Sequence, residues 1–207
     1  MATGRLITIE GLDGAGKTTL AQGLTDALRA AGTDARMLRE PGGVDASERV
    51  RTLVKDPDIR IGGRAEALLY AAARAQLVEE AIAPALAEGA WVILDRFVDS
   101  SLAYQGAARG LGIDAVREIN LFATAGLRPD RTLLLEIDPA AGRARTFSRG
   151  EAPDRLELEA EDFFRAIAAG YAALASAEPD RFRTIDAELP EEQVLAAALA
   201  ALEDLSA

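Results

Sequence analysis

The sequence predicts an α/β fold in which a five-stranded parallel sheet carries helices on both faces. Short apolar runs alternate with longer stretches of helical period along the whole chain, which is the pattern of β-α-β units. A glycine-rich loop also lies between the first apolar run and the first helical stretch. No linker rich in Pro, Gly or Ser divides the 207 residues, so we expect a single domain over residues 1–207.

Five apolar runs predict the strands, because each is short and nearly continuous, as in a sheet that is buried on both faces. These runs are Arg5–Glu10, Ala35–Arg39, Trp91–Asp95, Thr132–Ile137 and Arg183–Asp186. The intervals between them have apolar residues at helical spacing. They predict helices at Lys17–Ala31, Ser47–Val54, Arg64–Ala87, Ser100–Ala107, Asp114–Thr124, Pro139–Thr146, Glu159–Ser176 and Glu191–Leu205.

The least regular segment runs from Arg143 to Glu157. Arginines surround a break made by Gly150 and Pro153, and this pattern is typical of a solvated loop or of a mobile flap. The local sequence alone favours the solvated loop.

The composition excludes several classes of function. With 34 acidic and 23 basic residues the chain has a formal charge of −11, which argues against binding to nucleic acids or membrane surfaces. The sequence contains no Cys and no His, so disulfides, Cys or His zinc sites, thiol nucleophiles and Ser-His-Asp triads are excluded. Any metal is therefore expected to have oxygen ligands, which favours Mg²⁺. Neither a signal peptide nor a long apolar span is recognisable, so we expect a cytoplasmic protein.

A phosphate-binding loop is predicted at Gly11 to Thr18, which match the pattern G-x-x-x-x-G-K-[ST] between a strand and a helix. The glycines let the backbone N–H groups point inward at phosphates, and the helix adds its positive end. Lys17 is expected to reach the β- and γ-phosphates of a nucleotide, and the Thr18 hydroxyl to bind Mg²⁺. The expected nucleotide-binding residues of the loop, which become ATP-binding residues under the resemblance described below, are Gly11, Leu12, Asp13, Gly14, Ala15, Gly16, Lys17, Thr18 and Thr19.

The end of the strand Trp91–Asp95 indicates a second phosphate. The chain lacks the Asn-Lys-x-Asp motif of GTPases, and Asp95 is followed by Arg96 rather than by the second acid of motor-type ATPases. Ligands bind at the carboxyl edge of a parallel sheet, so Arg96 is expected to bind that phosphate while Asp95 orients it or holds Mg²⁺ through water. The helix that follows has a polar face formed by Ser101, Tyr104 and Gln105. Because one of these residues is aromatic, the face suits a nucleoside.

The segment Ile93–Gln105 resembles the signature of thymidylate kinases. Other features of that family match the loop Arg39-Glu-Pro-Gly-Gly43, Arg51, Tyr70 with Arg74, and an arginine-rich lid that ends at Asp154-Arg-Leu-Glu157. The resemblance implies the P-loop nucleoside monophosphate kinase fold, with a lid at about residues 143–157. It also implies transfer of the γ-phosphoryl group of ATP to dTMP, which gives dTDP and ADP, with Mg²⁺ as cofactor and a homodimer as the assembly.

The resemblance assigns roles on the dTMP side residue by residue. Tyr70 occupies the place where the family usually has a Phe that stacks on thymine, and Arg74 resembles the arginine that donates to the base. Taken alone, Tyr70 in an Ala- and Leu-rich helix favours a core position, but Arg74 on the same face favours the site. The remaining matches are Arg96 and Arg51 for the acceptor phosphate, Asp13 for the 3′-hydroxyl, Tyr104 for exclusion of a 2′-hydroxyl, Ser101 and Gln105 for the N3 edge of the base, and Pro41 for the loop beside it.

The catalytic arginine is expected in the lid. Some thymidylate kinases carry an arginine inside the phosphate loop, at the position held here by Gly14. Because glycine has no charge to supply, Arg149 is the expected catalytic arginine, with Arg145 and Arg155 as further candidates and Arg145 and Arg149 as ATP ligands. The full catalytic set is Lys17, Arg96, Asp95, Arg149 and Asp13. Two alternatives stay open: another nucleotide or deoxynucleoside kinase of the P-loop class, and a P-loop regulatory ATPase without an acceptor.

Overall fold

The computed structural model describes residues 4–148, 150 and 152–205, and the central element of that part is a five-stranded, all-parallel sheet. The strands are β1 (Arg5–Gly11), β2 (Ala35–Arg39), β3 (Trp91–Asp95), β4 (Arg131–Glu136) and β5 (Phe182–Asp186), in the spatial order β2-β3-β1-β4-β5. All five predicted strands are confirmed, and their ends differ from the predicted ends by one residue at most.

The helices also follow the predicted order. They are α1 (Lys17–Ala30), α2 (Asp45–Lys55), α3 (Gly63–Leu77), α4 (Ala83–Ala87), α5 (Val98–Ser101), α6 (Ile113–Ala123), α7 (Pro139–Phe147), α8 (Glu161–Ala177) and α9 (Glu191–Ala200).

Three predicted helices differ from the observed ones in regularity. The predicted helix Arg64–Ala87 contains a π-helical segment, Val78–Ile82, between α3 and α4. The predicted helix Ser100–Ala107 begins earlier, as α5, and continues as a longer π-helical segment, Leu102–Ala108. The predicted helix Glu191–Leu205 stops being α-helical at Ala200 and is followed by a 3₁₀ turn, Glu203–Leu205.

The predicted helix Pro139–Thr146 is confirmed and ends at Phe147, so the overlapping prediction of an irregular segment from residue 143 is wrong for its first five residues. The start of this helix explains its stability. The Asp138 carboxylate accepts from the backbone N–H groups of Ala140 and Ala141, and Pro139 occupies the first helical position. A lid over residues 143–157 would therefore begin inside a capped helix.

Alternate residues of β1 point to opposite faces of the sheet, and both faces are covered. Ile7 and Ile9 are fully buried in the cluster that contains Leu20 and Leu24 of α1. Leu6 packs on the other face, in the cluster that contains the π-helical segment between α3 and α4. Burial on both faces explains why the strands are almost continuously apolar.

The strand order brings two loops together at the carboxyl edge of the sheet. Because β1 lies between β3 and β4, the loop after Gly11 is next to the residue that follows Asp95. The backbone N–H of Arg96 donates to the Ile9 carbonyl at 3.0 Å, which ties the end of β3 to β1.

No helix in the part of the chain that the structure describes is long and apolar enough to cross a membrane.

The end of β1 requires a glycine, and this requirement is testable. Gly11 has φ +135°, and a Cβ atom there would lie 2.4 Å from the Leu135 carbonyl oxygen of β4. We expect Gly11→Ala to lower the free energy of unfolding by about 2 kcal/mol or more, because the backbone is strained and the neighbouring strand has to move. Urea denaturation measures this loss.

Gly63→Ala is the matched control for that variant. Gly63 begins α3, and a Cβ atom there would have only ordinary contacts, the nearest at 3.7 Å. We expect this variant to be neutral or up to about 1 kcal/mol more stable. Equal stability of the two variants would contradict the argument for Gly11.

Candidate active site

A cavity of about 420 Å³ opens at the carboxyl edge of the sheet. All nine residues predicted to bind the acceptor line it, and so do Gly14, Gly16, Lys17, Thr18 and Thr19 of the phosphate loop. Asp95, the predicted strand-end acid, lines it as well. The structure therefore brings both predicted substrate sites into one cavity.

The phosphate loop has the backbone that its glycines predict. Gly14 and Gly16 have φ of +82° and +90°, and α1 starts at the next residue. The Lys17 ammonium is 7 % exposed and donates to the Leu12 carbonyl at 2.7 Å. Burial and the charge of Arg96 lower the pKa of Lys17 to about 8. Bound phosphates would place negative charge beside this ammonium and so favour its protonated form.

The loop is packed against α7 at one point of direct backbone approach. A Cβ atom on Gly14 would lie 2.1 Å from the Gly142 carbonyl oxygen, and one on Gly142 would lie 2.8 Å from the Asp13 carbonyl oxygen. Two facing glycines thus allow the phosphate loop and this helix to touch without side chains between them.

Two oxygen ligands for a cation are already in contact. The Thr18 hydroxyl donates to the Asp95 carboxylate at 2.6 Å, at the edge of the phosphate loop. Mg²⁺ in nucleotide sites takes one or two protein oxygens, and phosphate oxygens and water complete its octahedron. The pair Thr18 and Asp95 fits that requirement.

Arg96 lies at the centre of the cavity, with φ of +70° at the residue directly after β3. Its Nη2 donates to the Asp13 carboxylate at 2.7 Å and to the Tyr104 hydroxyl at 3.1 Å. Burial acts against ionisation of Asp13, but the charges of Arg96 and Lys17 hold the pKa of this carboxyl well below its usual range. Asp13 is therefore an anion that accepts hydrogen bonds at neutral pH.

Behind Arg96 lies a second layer of polar side chains. Arg96 Nη1 donates to the hydroxyl oxygens of Ser100, at 3.1 Å, and Tyr171, at 3.4 Å. Both hydroxyl groups contact the fully buried carboxylate of Glu10. Burial and the nearby charge of Asp99 raise the pKa of Glu10 to about 7.

Arg74 forms the wall of the cavity on the side expected to bind the base. It is 2 % exposed, and each of its three nitrogens has an acceptor. Nε donates to Glu40 Oε2 at 2.7 Å, and Nη2 forms an ion pair with the same oxygen at 2.6 Å and donates to the Phe97 carbonyl at 2.9 Å. Nη1 donates to the Ser101 hydroxyl at 3.0 Å and to the Asn120 side chain. A base carbonyl that accepts from Arg74 therefore has to share or replace one of these partners.

The last residues of the predicted lid are held on α2 and α3. Arg155 Nε donates to the Val54 carbonyl at 2.9 Å, and Nη1 pairs with the buried Glu66 at 2.7 Å. Lys55 pairs with Asp154 at 2.6 Å. Glu66 also accepts from Gln105 Nε2 at 2.8 Å, so one carboxylate links the lid end to the acceptor side of the cavity.

The remaining predicted arginines of the lid are elsewhere. Arg145 donates to the Ala187 carbonyl at 2.9 Å, after β5, and does not line the described cavity. Arg149 lies outside the residues that the structure describes. Gly11, Leu12 and Ala15 belong to the phosphate loop but do not line the described cavity.

Several residues of the site were not predicted from the sequence. Six of them line the cavity, namely Arg39, Glu40, Lys55, Ser100, Asp154 and Glu157. Arg39 and Glu40 were predicted only as part of the loop that ends at Gly43, and Asp154 and Glu157 only as the end of the lid. Glu10 and Tyr171 lie behind Arg96. A charged residue in an otherwise apolar strand is a signal that would have indicated Glu10, whereas Tyr171 resembles any other aromatic residue of an amphipathic helix.

Comparisons with known proteins agree with this geometry. A family model described as Thymidylate kinase matches residues 9–198. The chain is 48 % identical over 204 residues to the thymidylate kinase of Deinococcus radiodurans, covering 99 % of this chain and 98 % of that protein. It is 46 % identical over 204 residues to that of Halorhodospira halophila, with 98 % and 95 % covered. To that of Lactobacillus delbrueckii subsp. bulgaricus it is 47 % identical over 199 residues, with 95 % and 94 % covered.

The family match covers most of the chain, and the relatives match it over nearly their full length. The chain belongs to the thymidylate kinase family.

Proposed function

We propose that this chain transfers the γ-phosphoryl group of ATP to dTMP, giving dTDP and ADP. The observation that carries the proposal is the shared cavity, in which Arg96 lies beside the phosphate loop and faces the residues suited to a nucleoside monophosphate. Family membership supports the same reaction.

On the donor side the loop amides and Lys17 bind the phosphates of ATP. Phosphate oxygens replace the Leu12 carbonyl as the acceptor of the Lys17 ammonium. Thr18 and Asp95 would hold Mg²⁺, which would supply positive charge to neutralise the phosphates. These residues act through their position and charge, because phosphoryl transfer requires no covalent bond to the protein.

On the acceptor side Arg96 and Arg51 bind the phosphate of dTMP. Arg51 Nη1 donates to the Pro41 carbonyl at 3.0 Å, which holds this arginine at the rim of the cavity. The second pKa of a phosphate monoester is about 6, so the acceptor is mostly a dianion at pH 7 and needs no general base. The absence of histidine from the sequence therefore has no cost for this reaction.

The nucleoside lies between Tyr70 and the polar face of the π-helical segment. Tyr70 is partly exposed to the cavity and stacks on thymine, while Ser101 and Gln105 lie near its N3 edge. The O4 atom of thymine shares Arg74 Nη1 with the Ser101 hydroxyl. Tyr104 and Asp13 flank the sugar, where the Tyr104 ring leaves no room for a 2′-hydroxyl.

The catalytic arginine of the lid is Arg149. The other arginines of the segment have partners in the protein: Arg143 lies over the rings of Phe147 and Phe164, Arg145 contacts Ala187, and Arg155 contacts Glu66 and Val54. They anchor the lid to a single domain that spans the chain.

The enzyme works as a homodimer in the cytoplasm, where both nucleotides are available. Support for the dimer comes from three large apolar side chains on the neighbouring helices α3 and α6, which are exposed in this single chain. They are Leu68 at 56 %, Leu121 at 52 % and Phe122 at 91 %.

A panel of acceptors tests the reaction directly. ADP release is measured with dTMP, dUMP, dCMP, dAMP and thymidine. We expect dTMP to exceed dUMP by about tenfold in kcat/KM, because only a methyl contact is lost, and dCMP by on the order of a thousandfold, because its amino group leaves Arg74 facing a donor. Equal turnover of dCMP and dTMP would contradict the base assignment. A preference for thymidine would indicate a nucleoside kinase, and slow ATP hydrolysis unaffected by dTMP would indicate a regulatory ATPase.

The assignment of Arg96 is tested by Arg96→Lys. Lysine keeps the charge but loses the planar pair of donors, so we expect a loss on the order of a hundredfold or more in kcat/KM for dTMP. Arg128→Lys, at an exposed position near the opposite edge of the sheet, is the control and should match the unmodified enzyme. Near-normal kinetics in Arg96→Lys would place this side chain outside the site.

The assignment of Arg149 is tested by Arg149→Ala. A lid arginine that acts on the transferring group should lower kcat by about 10³-fold or more and leave nucleotide affinity nearly unchanged. The measurements are kcat and the Kd of a non-hydrolysable ATP analogue, with Arg128→Ala as control. A defect confined to nucleotide affinity would move the role to another arginine.

A further inference from the structure

One buried charge is not used by the proposed reaction. Glu10 is 0 % exposed at the end of β1, and it does not line the described cavity. It is the only residue of β1 with a charged side chain among the fully buried positions of that strand. Isolating a carboxylate from water costs free energy unless hydrogen bonds compensate, so a fully buried Glu10 is expected to have a specific role.

All three donors to Glu10 come from the elements that surround Arg96. The Phe97 backbone N–H donates to Oε1 at 2.7 Å. The hydroxyls of Ser100 and Tyr171 both donate to Oε2, at 2.5 and 2.9 Å, and their oxygens lie 2.9 Å from each other. Phe97 is the residue after Arg96, and the two hydroxyls are the acceptors of Arg96 Nη1.

The direction of these hydrogen bonds follows from the number of protons available. A hydroxyl has one hydrogen, and when that hydrogen points to Glu10 its oxygen lone pairs are free to accept. An ionised Glu10 carboxylate therefore turns the oxygens of Ser100 and Tyr171 toward Arg96 Nη1. Without the carboxylate, either hydroxyl can turn its hydrogen toward the guanidinium, which has only donors.

We propose that Glu10 is a positioning residue for Arg96, acting through the hydroxyls of Ser100 and Tyr171 and the backbone N–H of Phe97. The inference rests on the proposed role of Arg96 at the acceptor phosphate. Arg96 has a left-handed backbone conformation, which is unfavourable for a residue with a side chain and requires support from its surroundings.

This arrangement holds the guanidinium without competing for the acceptor phosphate. Asp13 contacts Nη2 directly and lies on the cavity side, whereas Glu10 is separated from Nη1 by one layer of hydroxyls. A carboxylate at that distance supplies negative charge and orientation, but it does not occupy donors on the face that dTMP approaches.

Glu10→Gln tests the proposal, because glutamine has the same shape but only one carbonyl oxygen. Its single carbonyl oxygen can accept either from the two hydroxyls or from the Phe97 N–H, and its NH₂ group then faces a donor at the other position. At pH 8, we expect the Kd of dTMP to rise about tenfold, while the Kd of a non-hydrolysable ATP analogue stays within about twofold. Calorimetric titration of each ligand measures both values. An unchanged Kd for dTMP, or an equal loss for both ligands, would overturn the positioning role.

Thr8→Val is the matched control. Thr8 lies two residues earlier on the same face of β1, is fully buried, and has a hydrogen bond to the Thr132 hydroxyl at 2.8 Å rather than to the groups around Arg96. Loss of this buried polar contact should leave the Kd of dTMP within about twofold. A tenfold rise in Thr8→Val would show that any polar change in β1 disturbs the site, which would overturn the assignment to Glu10.

A double-mutant cycle with Arg96→Lys separates positioning from a general structural effect. If Glu10 acts through Arg96, Glu10→Gln should add less than about threefold to the loss already present in Arg96→Lys. If the Kd of dTMP in the double variant instead rises by the product of the two single-variant increases, the proposal is overturned while the role of Arg96 stays intact. Near-normal binding in Arg96→Lys alone would instead refute the proposed function of Arg96, so the two failures are distinguishable.

If Glu10→Gln does not fold, the double variant Ser100→Ala/Tyr171→Phe gives the same test. It removes both acceptors of Arg96 Nη1 and leaves Glu10 in place. We expect the same rise of about tenfold in the Kd of dTMP and the same non-additivity with Arg96→Lys. A normal Kd for dTMP in this variant would overturn the proposal.

Discussion

The ion pair between Arg96 and Asp13 joins the two halves of the cavity. Asp13 belongs to the phosphate loop after β1, and Arg96 follows β3, so the pair spans two neighbouring strands at one edge of the sheet. The contact exists because the strand order puts β1 beside β3 and because Arg96 accepts an unfavourable backbone conformation. The pair adds to the pairing of β1 with β3 in holding the phosphate loop and Arg96 in a fixed relative position.

Most of the fold could be predicted from the sequence, since strands buried on both faces produce apolar runs with little ambiguity. The failures are local. A π-helical turn has nearly the same apolar spacing as an α-helix, so neither Val78–Ile82 nor Leu102–Ala108 is visible in the sequence. The helix Pro139–Thr146 was predicted, but so was an irregular segment that overlaps its end, because the arginines of α7 resemble those of a solvated loop. The helix is in fact capped by Asp138 and extends to Phe147.

Sequence reasoning identified cavity residues best where they belong to contiguous motifs. The phosphate loop and the residues after β3 are such motifs, and most of their members line the cavity, although Gly11, Leu12 and Ala15 do not. The support behind Arg96 could not be found in this way. Glu10 and Tyr171 are 161 residues apart, and only packing of α8 on the sheet brings them together. Contacts of this range leave no pattern in a single sequence.

The approach of Gly14 to Gly142 restricts which side chains this phosphate loop can carry. The space next to the loop is filled by the backbone of α7, so a side chain at residue 14 and this position of the helix exclude each other. A substitution at residue 14 would therefore require a shift of a segment about 130 residues away along the chain.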